Sequence, residues 1–436
     1  MIGFETIGSA ICIAYDGQPV LTTDAWTTPS AYFGSWTQDF EIPPAQREAI
    51  GRARYHWFSH GHPDHLNADS LPFISGGHIL LSDHRGSRIR NSLIRAGFNV
   101  TVLPDRRWIE LAPHVSVYSL PNENQDSILL IKVGDALVIN KNDSPDYGAS
   151  FHIRRIARHF ARVYMLALEC WGAVDMINVF DAGGTRRLDI ERKKQPLGPQ
   201  LQAGARSFGA THAIPFSSFH RFQRSDSVWA NVLVPALDDY HEGVHPDGPE
   251  VLPAFVRVDC ESGTITPLRP PQSRPAVVAP EAFGDIWSDD LTHDDRQALT
   301  RYFLECAHLR RTFGFLTFMA GRSEHTIVLD RGRRDVGIRF EVPRHSLMLA
   351  IRHRIFDDLL IANFMKVQLH NVDALYPDFT PYVAKYGDNG RARSNAELFR
   401  YFGHYIVRDP IGFAVQRLQM ATEQVFRTFT SHGGPL

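Results

Sequence analysis

Between residues 60 and 65 the chain reads His60-Gly61-His62-Pro63-Asp64-His65: three imidazoles and a carboxylate in six positions. Directly before them stands Tyr55–Phe58, rich in the aromatic residues that favour a strand. Gly61 and Pro63 stop that strand from continuing, so it must pass at once into a turn. In a strand successive side chains alternate between faces, whereas in a turn they can converge. Converging imidazoles suit Zn, Fe, Mn or Cu, and the carboxylate shifts the preference toward harder ions. The chain must therefore fold so that this strand ends at an open edge where polar groups can be gathered.

The surrounding pattern is compatible with such an edge. Strand-like runs at 10–14, 55–58, 78–81, 115–120, 128–133, 136–140 and 163–168 alternate with amphipathic stretches at 87–96 and 151–161. In the second of these stretches Ile153, Ile156 and Phe160 share a face opposite the arginines. Strands interleaved with helices indicate an α/β fold of stacked layers. Pro267, Pro270, Pro271, Pro275 and Pro280 then read as a stiff, extended connection. Beyond it, helices at 294–315, 355–367 and 395–406 and strands at 326–329 and 336–342 are expected. The chain thus divides into a metal-binding domain at 1–266, a Pro-rich linker at 267–280 and a smaller α+β domain at 281–436, whose role is open.

Composition removes several function classes. Lys plus Arg is 46 against 48 for Asp plus Glu, too balanced for a chain that mainly grips nucleic-acid phosphates. The apolar run 129–139 is broken by Lys132 and Asp135, so no membrane span is expected. Cys12, Cys170, Cys260 and Cys306 form no C-x-x-C pair, which argues against a disulfide framework or an iron–sulfur cluster. Cys170 reads as core. No secretory leader pattern opens the chain, so the expected location is cytoplasmic. The basic residues Arg186, Arg187, Arg192, Lys193 and Lys194 read as a solvated face, or else as a surface for an anionic substrate.

The H-x-H-x-D-H segment resembles the signature of the metallo-β-lactamase superfamily, and the resemblance covers roughly residues 5–225. It implies a four-layer αβ/βα metallo-β-lactamase sandwich with two metal ions at one edge of the sheets. Pro121-Asn122-Glu123-Asn124-Gln125-Asp126-Ser127 is similar to the family's P-G-H-T-x-G-S and has Glu123 where histidine is usual. Asp143 corresponds to the bridging aspartate, and His220 to the last histidine, with His212 as the alternative. The implied metal ligands are His60, His62, Asp64, His65, Glu123, Asp143 and His220, with Asp64, Glu123 and Asp143 as the carboxylates closest to the chemistry. Asp24, which follows a strand, corresponds to a carboxylate that orients a ligand histidine from behind; its other reading is a strand-end turn residue. His84, in Ser82-Asp83-His84-Arg85, and Glu169, at the end of 163–168, face the same edge, with His84 supporting its ligands from behind, or are simply exposed.

Two features resemble the oxygenase branch of that superfamily. Val20–Trp26 with Phe33 and Trp36, and the turn Asn140-Lys141-Asn142-Asp143, look like CMP-N-acetylneuraminate hydroxylases, although their Rieske domain has no counterpart here. Glu123 in place of histidine is similar to the ligand set of the di-iron β-hydroxylase of chloramphenicol biosynthesis. A carboxylate in place of an imidazole favours Fe or Mn over Zn and supports higher oxidation states. A histidine-rich set instead keeps the ions electrophilic enough to activate water. The resemblance thus implies a dinuclear iron oxygenase, of hydroxylase or N-oxygenase type, acting on a small-molecule substrate with O2. Electrons would come from an external donor, because no G-x-G-x-x-G lies between a strand and a helix. The alternative is a dinuclear Zn, Mn or Fe hydrolase of a phosphoester, lactone or amide. A decayed scaffold is disfavoured by the retention of metal-binding groups at every motif position. No nucleic-acid or membrane partner is expected, and the oligomeric state is open.

Overall fold

A computed structural model describes residues 1–190, 194–217, 219–386, 392, 394–415 and 417–418. Its centre is two mixed sheets, face to face. The eight-stranded sheet runs in the order Ile265–Pro267, Val256–Asp259, Ile2–Ile7, Ile11–Asp16, Gln18–Thr23, Tyr55–Phe58, His78–Ser82, Val100–Leu103. The seven-stranded sheet runs Glu250–Val251, His212–Pro215, Arg162–Ala167, Ala136–Asn142, Ser127–Val133, Val115–Pro121, Trp108–Ala112. Period-two alternation sorts the side chains. Cys12 and Ala14 join Leu129, Ile131 and Val133 between the sheets. Ile11 and Ile13, and likewise Ile128 and Leu130, face outward. Helices cover both outer faces, which is why the strands are apolar on both sides. Ala149–Ala157 and Leu197–Phe208 lie on one face through Ile153, Leu201 and Phe208. Pro44–Arg52 and Arg88–Arg95 lie on the other through Ile50 and Leu93. The result is the four-layer αβ/βα sandwich expected from the sequence.

Gln18–Thr23, Tyr55–Phe58 and His78–Ser82 are neighbouring parallel strands, as are Ala136–Asn142, Arg162–Ala167 and His212–Pro215. Parallel neighbours end on the same side, so each set brings its carboxyl ends to a common edge, where α/β sheets bind ligands. The backbone there is contorted. Asp24, Asn142 and Ser217 have φ of 43°, 46° and 73°, and a bulge between Asn140 and Asn142 redirects the chain toward Asp143.

The remainder departs from expectation in three ways. The stretch 294–315 is not one helix. His293–Glu305 ends at Cys306, a short Leu309–Thr312 helix follows, and Phe315–Ala320 becomes a strand whose Leu316 and Phe318 are fully buried. The stretch 355–367 likewise divides into helix Phe356–Ile361 and strand Lys366–His370, with Asn363 in the left-handed region at φ 60°. Tertiary pairing overrode local periodicity in both cases, because these strands complete a five-stranded sheet.

That sheet is not made from residues 281–436 alone. Its first strand is Val179–Phe180, and Asn363 Oδ1 accepts bonds from Ile177 N at 2.9 Å and Asn178 N at 3.3 Å. One hydrophobic core runs from Ile13 and Trp36 to Phe303 and Phe356, so the two parts share an interior. The Pro-rich stretch is docked against the sandwich: Ser273 N donates to Asp39 O at 2.7 Å and Val278 N to Gln223 O at 2.8 Å. Among the described residues no helix is long and apolar enough to cross a membrane.

A buried ion pair also ties the parts together. Arg224, with no exposed side-chain surface, bonds Asp285 Oδ2 at 2.7 Å, Asp226 Oδ2 at 2.8 Å and Phe33 O at 3.0 Å. Asp285 is equally buried and accepts from Ser346 N at 2.8 Å. Asp285→Ala would leave the buried Arg224 with Asp226 as its carboxylate partner and take the acceptor from Ser346 N, and the expected loss is about 2–3 kcal/mol in urea unfolding. A loss below about 1 kcal/mol, the size of a surface pair, would show that this pair does not hold the parts together.

Candidate metal centre

The site is organised by Asp24. Its carboxylate is fully buried, accepts from Ser59 N at 2.8 Å and Ser59 Oγ at 3.1 Å, and lies 3.2 Å from His65 Nδ1. Ser59 is the first residue after Tyr55–Phe58, so this clamp sets how the histidine loop leaves the sheet. The loop continues to Asn67, which accepts from Asp69 N and Ser70 N at 3.1 Å each and caps the helical turn Ala68–Ile74.

Within the loop the donors converge. His60 Nε2 lies 2.8 Å from His62 Nδ1 and 3.6 Å from Asp143 Oδ2. His65 Nε2 lies 3.5 Å from the same oxygen of Asp143 and 3.5 Å from Asp64 Oδ2. Two bonds of about 2.1 Å at a roughly tetrahedral metal separate their donor atoms by about 3.4 Å. The spacings around Asp143 therefore fit a divalent ion, with His60, His65 and Asp143 as one group of donors and Asp64 beside it. Asp64 is oriented by Tyr32, whose hydroxyl donates to Oδ1 at 2.7 Å. A second group able to hold an ion joins His62 to Asp357 and Asp358, at 3.7 Å and 3.9 Å.

The electrostatics follow from this crowding. Burial pushes Asp143 up, but His60 and His65 outweigh it and hold the carboxyl far below its usual range. Burial pushes His65 down, yet Asp64, Asp143 and Asp24 raise it well above an ordinary imidazole. His62 is raised to about 10, because Asp357 and Asp358 overcome its desolvation. His60 goes the other way, lowered by burial and by its histidine neighbours. Burial and then Asp143 raise Asp126 to about 7.

The other residues singled out from sequence occupy different places. Asp24 stands beside His65, with Oδ2 3.2 Å from Nδ1. His84 Nε2 lies 3.1 Å from Ser127 Oγ, which in turn donates to Ser59 O, so His84 braces the loop's backbone from outside the donor cluster. Glu123 is buried but engages Arg417 Nη2 through both oxygens, at 3.0 Å and 3.1 Å, and its carbonyl accepts from Tyr401 OH at 2.6 Å. His220 is buried and stacked 3.5 Å from Trp36, because His220–Phe222 pairs with Trp36–Gln38. Neither Glu123 nor His220 belongs to the two three-donor groups found among the described residues. His212 stacks on Tyr164 and faces Glu250 at 3.6 Å. Glu169 accepts from Tyr240 OH through its backbone carbonyl at 3.0 Å. In the basic run, Arg186 stacks on Trp229 at 3.9 Å and Lys194 donates to Val232 O at 2.6 Å, whereas Arg192 and Lys193 lie outside the described residues.

Tyr32, Asp126, Asp357 and Asp358 were not found from the sequence. Asp126 lies three residues after Glu123 in the segment already under suspicion, so a wider reading of that segment would have reached it. Asp357-Asp358 opens the helix Phe356–Ile361, and only tertiary packing brings that helix to the loop.

No protein-family model matches this chain, and no curated protein does. Among solved structures it is similar to CmlA, a diiron beta-hydroxylase from Streptomyces venezuelae, at 17% identity over 59% of this chain and 53% of that one, TM-score 0.37. It is also similar to the isothiocyanate hydrolase from Delia radicum gut bacteria, at 13% identity over 59% and 98% of the two chains, TM-score 0.39. A third is Igni18, a metallo hydrolase from the archaeon Ignicoccus hospitalis, at 13% identity over 61% and 99%, TM-score 0.38. The match spans about half the length of the hydroxylase. At these identities and TM-scores the likeness carries no argument about this chain and does not choose between hydroxylase and hydrolase. The four layers and the converging loop at their edge agree with the metallo-β-lactamase resemblance.

Metal binding takes up unprotonated imidazole, and here His62 and His65 are held protonated at neutral pH. Loading should therefore release protons, so apparent metal affinity should tighten as pH rises from about 6 to about 8. Calorimetry in buffers of different ionisation enthalpy measures that release. An affinity flat across this range, with no proton released, would contradict the arrangement.

Proposed function

We propose that this chain is a dinuclear iron-dependent oxygenase of the metallo-β-lactamase superfamily, oxidising a small molecule with O2 and electrons from an external donor. The observation that carries this reading is the carboxylate content around the histidines. Asp64 and Asp143 face His65, Asp126 stands in the field of Asp143, and Glu123 occupies the sequence position where hydrolases of this type have histidine. Hard anionic donors favour Fe over Zn. His60, His62, Asp64, His65 and Asp143 would hold the ions, which when bound would supply the O2 activation. The chain's own residues do the rest. Asp24, Ser59 and Tyr32 keep the donors in place. A cavity of about 250 Å³ beside His60, walled by Phe58, Leu81, Ile89 and Val102 and floored by His84 and Gln125, supports a small substrate held away from water.

One observation favours a hydrolase as the second reading. Asp126, raised to about 7, is a carboxyl that can take or give a proton at neutral pH beside Asp143, as general base catalysis needs.

Metal analysis and O2 uptake separate the two. Protein expressed with iron and zinc both supplied is expected to carry about two irons per chain and, once reduced, to consume O2. Two zincs, no O2 uptake after iron loading, and turnover of a phosphodiester or lactone would move the assignment to hydrolysis. Arg417 Nη2 competes with any ion for both oxygens of Glu123. Arg417→Ala is therefore expected to tighten iron binding several-fold in a chelator competition, and unchanged binding would remove Glu123 from the ligand set.

A further inference from the structure

Each histidine of the loop has one ring nitrogen turned into the donor cluster and one turned away. His60 presents Nε2 and has Ser59 Oγ behind Nδ1 at 2.9 Å. His65 presents Nε2 and has Asp24 behind Nδ1 at 3.2 Å. His62 presents Nδ1, 2.8 Å from His60 Nε2, and its Nε2 lies across the ring from that contact. There it meets Asp357 Oδ2 at 3.7 Å and Asp358 Oδ1 at 3.9 Å.

Those two carboxylates do not come from the sandwich. They open the helix Phe356–Ile361, in the C-terminal part of the chain, and their side chains are only 9% and 7% exposed. Burying adjacent carboxylates is costly unless cationic or hydrogen-bonding groups meet them. The first turn of a helix meets part of that cost, and an imidazole N–H facing them meets more. A neutral imidazole offers one lone pair and one N–H. If Nδ1 of His62 is the lone pair, Nε2 must carry the hydrogen, and only Asp357 and Asp358 stand within ion-pair range of it among the contacts described.

We infer that Asp357, seconded by Asp358, is a positioning residue of the metal centre: it holds His62 with Nδ1 toward the metal, as Asp24 holds His65. The inference rests on the dinuclear reading proposed above. It gives residues 281–436 a function, since the helix they supply orients a donor in a centre whose donors belong to the sandwich. It also accounts for the shared hydrophobic interior, because a carboxylate can orient an imidazole only if the two elements are held in fixed register.

The test uses the full chain, with Co(II) and Fe(II) as probes. Asp357→Asn/Asp358→Asn is expected to bind metal about 10–100-fold more weakly and to change the visible Co(II) bands, with the circular dichroism of the fold retained. Asp357→Glu should recover most of that loss. The deciding measurement is a double-mutant cycle with His62→Ala. If the carboxylates act through His62, the double Asn variant adds no further loss on the His62→Ala background; an equal loss there overturns the inference, as does unchanged affinity on the wild-type background. Should the double variant fail to fold, the single Asp357→Asn in the same cycle decides it. Wild-type protein that binds no divalent metal would instead remove the dinuclear reading itself, an outcome distinct from wild-type binding without coupling.

Discussion

The grip of Asp24 on the histidine loop is the interaction from which the rest of the site follows. Asp24 has no solvent exposure; Ser59 N and Ser59 Oγ donate to its Oδ1, and its Oδ2 lies 3.2 Å from His65 Nδ1. Asp24 reaches them because the strand Gln18–Thr23 ends beside Tyr55–Phe58 in parallel register, and because its own backbone turns left-handed at φ 43°. With Ser59 held, the chain has only a few residues in which to turn back to Asn67. Three imidazoles and Asp64 must then occupy one small volume.

Crowding of that kind has an electrostatic consequence. Asp64, Asp143 and Asp24 act on His65, and Asp357 and Asp358 act on His62. Carboxylates therefore press on the site from both sheets of the sandwich and from the C-terminal helix. Protons answer that field on the imidazoles, and a divalent ion answers it better, because it lies between several carboxylates at once. The bracing by Ser127 and His84 adds rigidity, so that the donors are arranged by the fold rather than by the ion.

The shared interior gives this arrangement its mechanical support. Trp36 stacks on His220 and belongs to the same hydrophobic cluster as Phe303 and Phe356, so the sandwich and the C-terminal sheet are packed as one interior. Arg224 and Asp285 add a directional tie across the same interface. The helix bearing Asp357 is thereby placed to within the tolerance that orienting a ring requires.

Much of the sandwich was legible in the residues. Tyr55–Phe58 is a strand with the bounds expected, and 128–133 and 136–140 differ from Ser127–Val133 and Ala136–Asn142 only at their ends, because a short aromatic or aliphatic run between turn residues has few alternatives. The density of donors in His60–His65 likewise announces a metal loop without knowledge of its surroundings. What remained hidden depended on distant partners. The stretches 294–315 and 355–367 carry helical periodicity, and only the pairing of Phe315–Ala320 and Lys366–His370 within a third sheet cut them short. Glu123 and His220 show the same limit at the site, since the partners that engage them, Arg417 and Trp36, are remote in sequence. Local chemistry therefore determined that a metal loop exists and where its strand ends. Tertiary structure alone decided which carboxylates surround it, because Asp357 lies nearly three hundred residues from His62 and meets it only when two sheets and a shared core have formed.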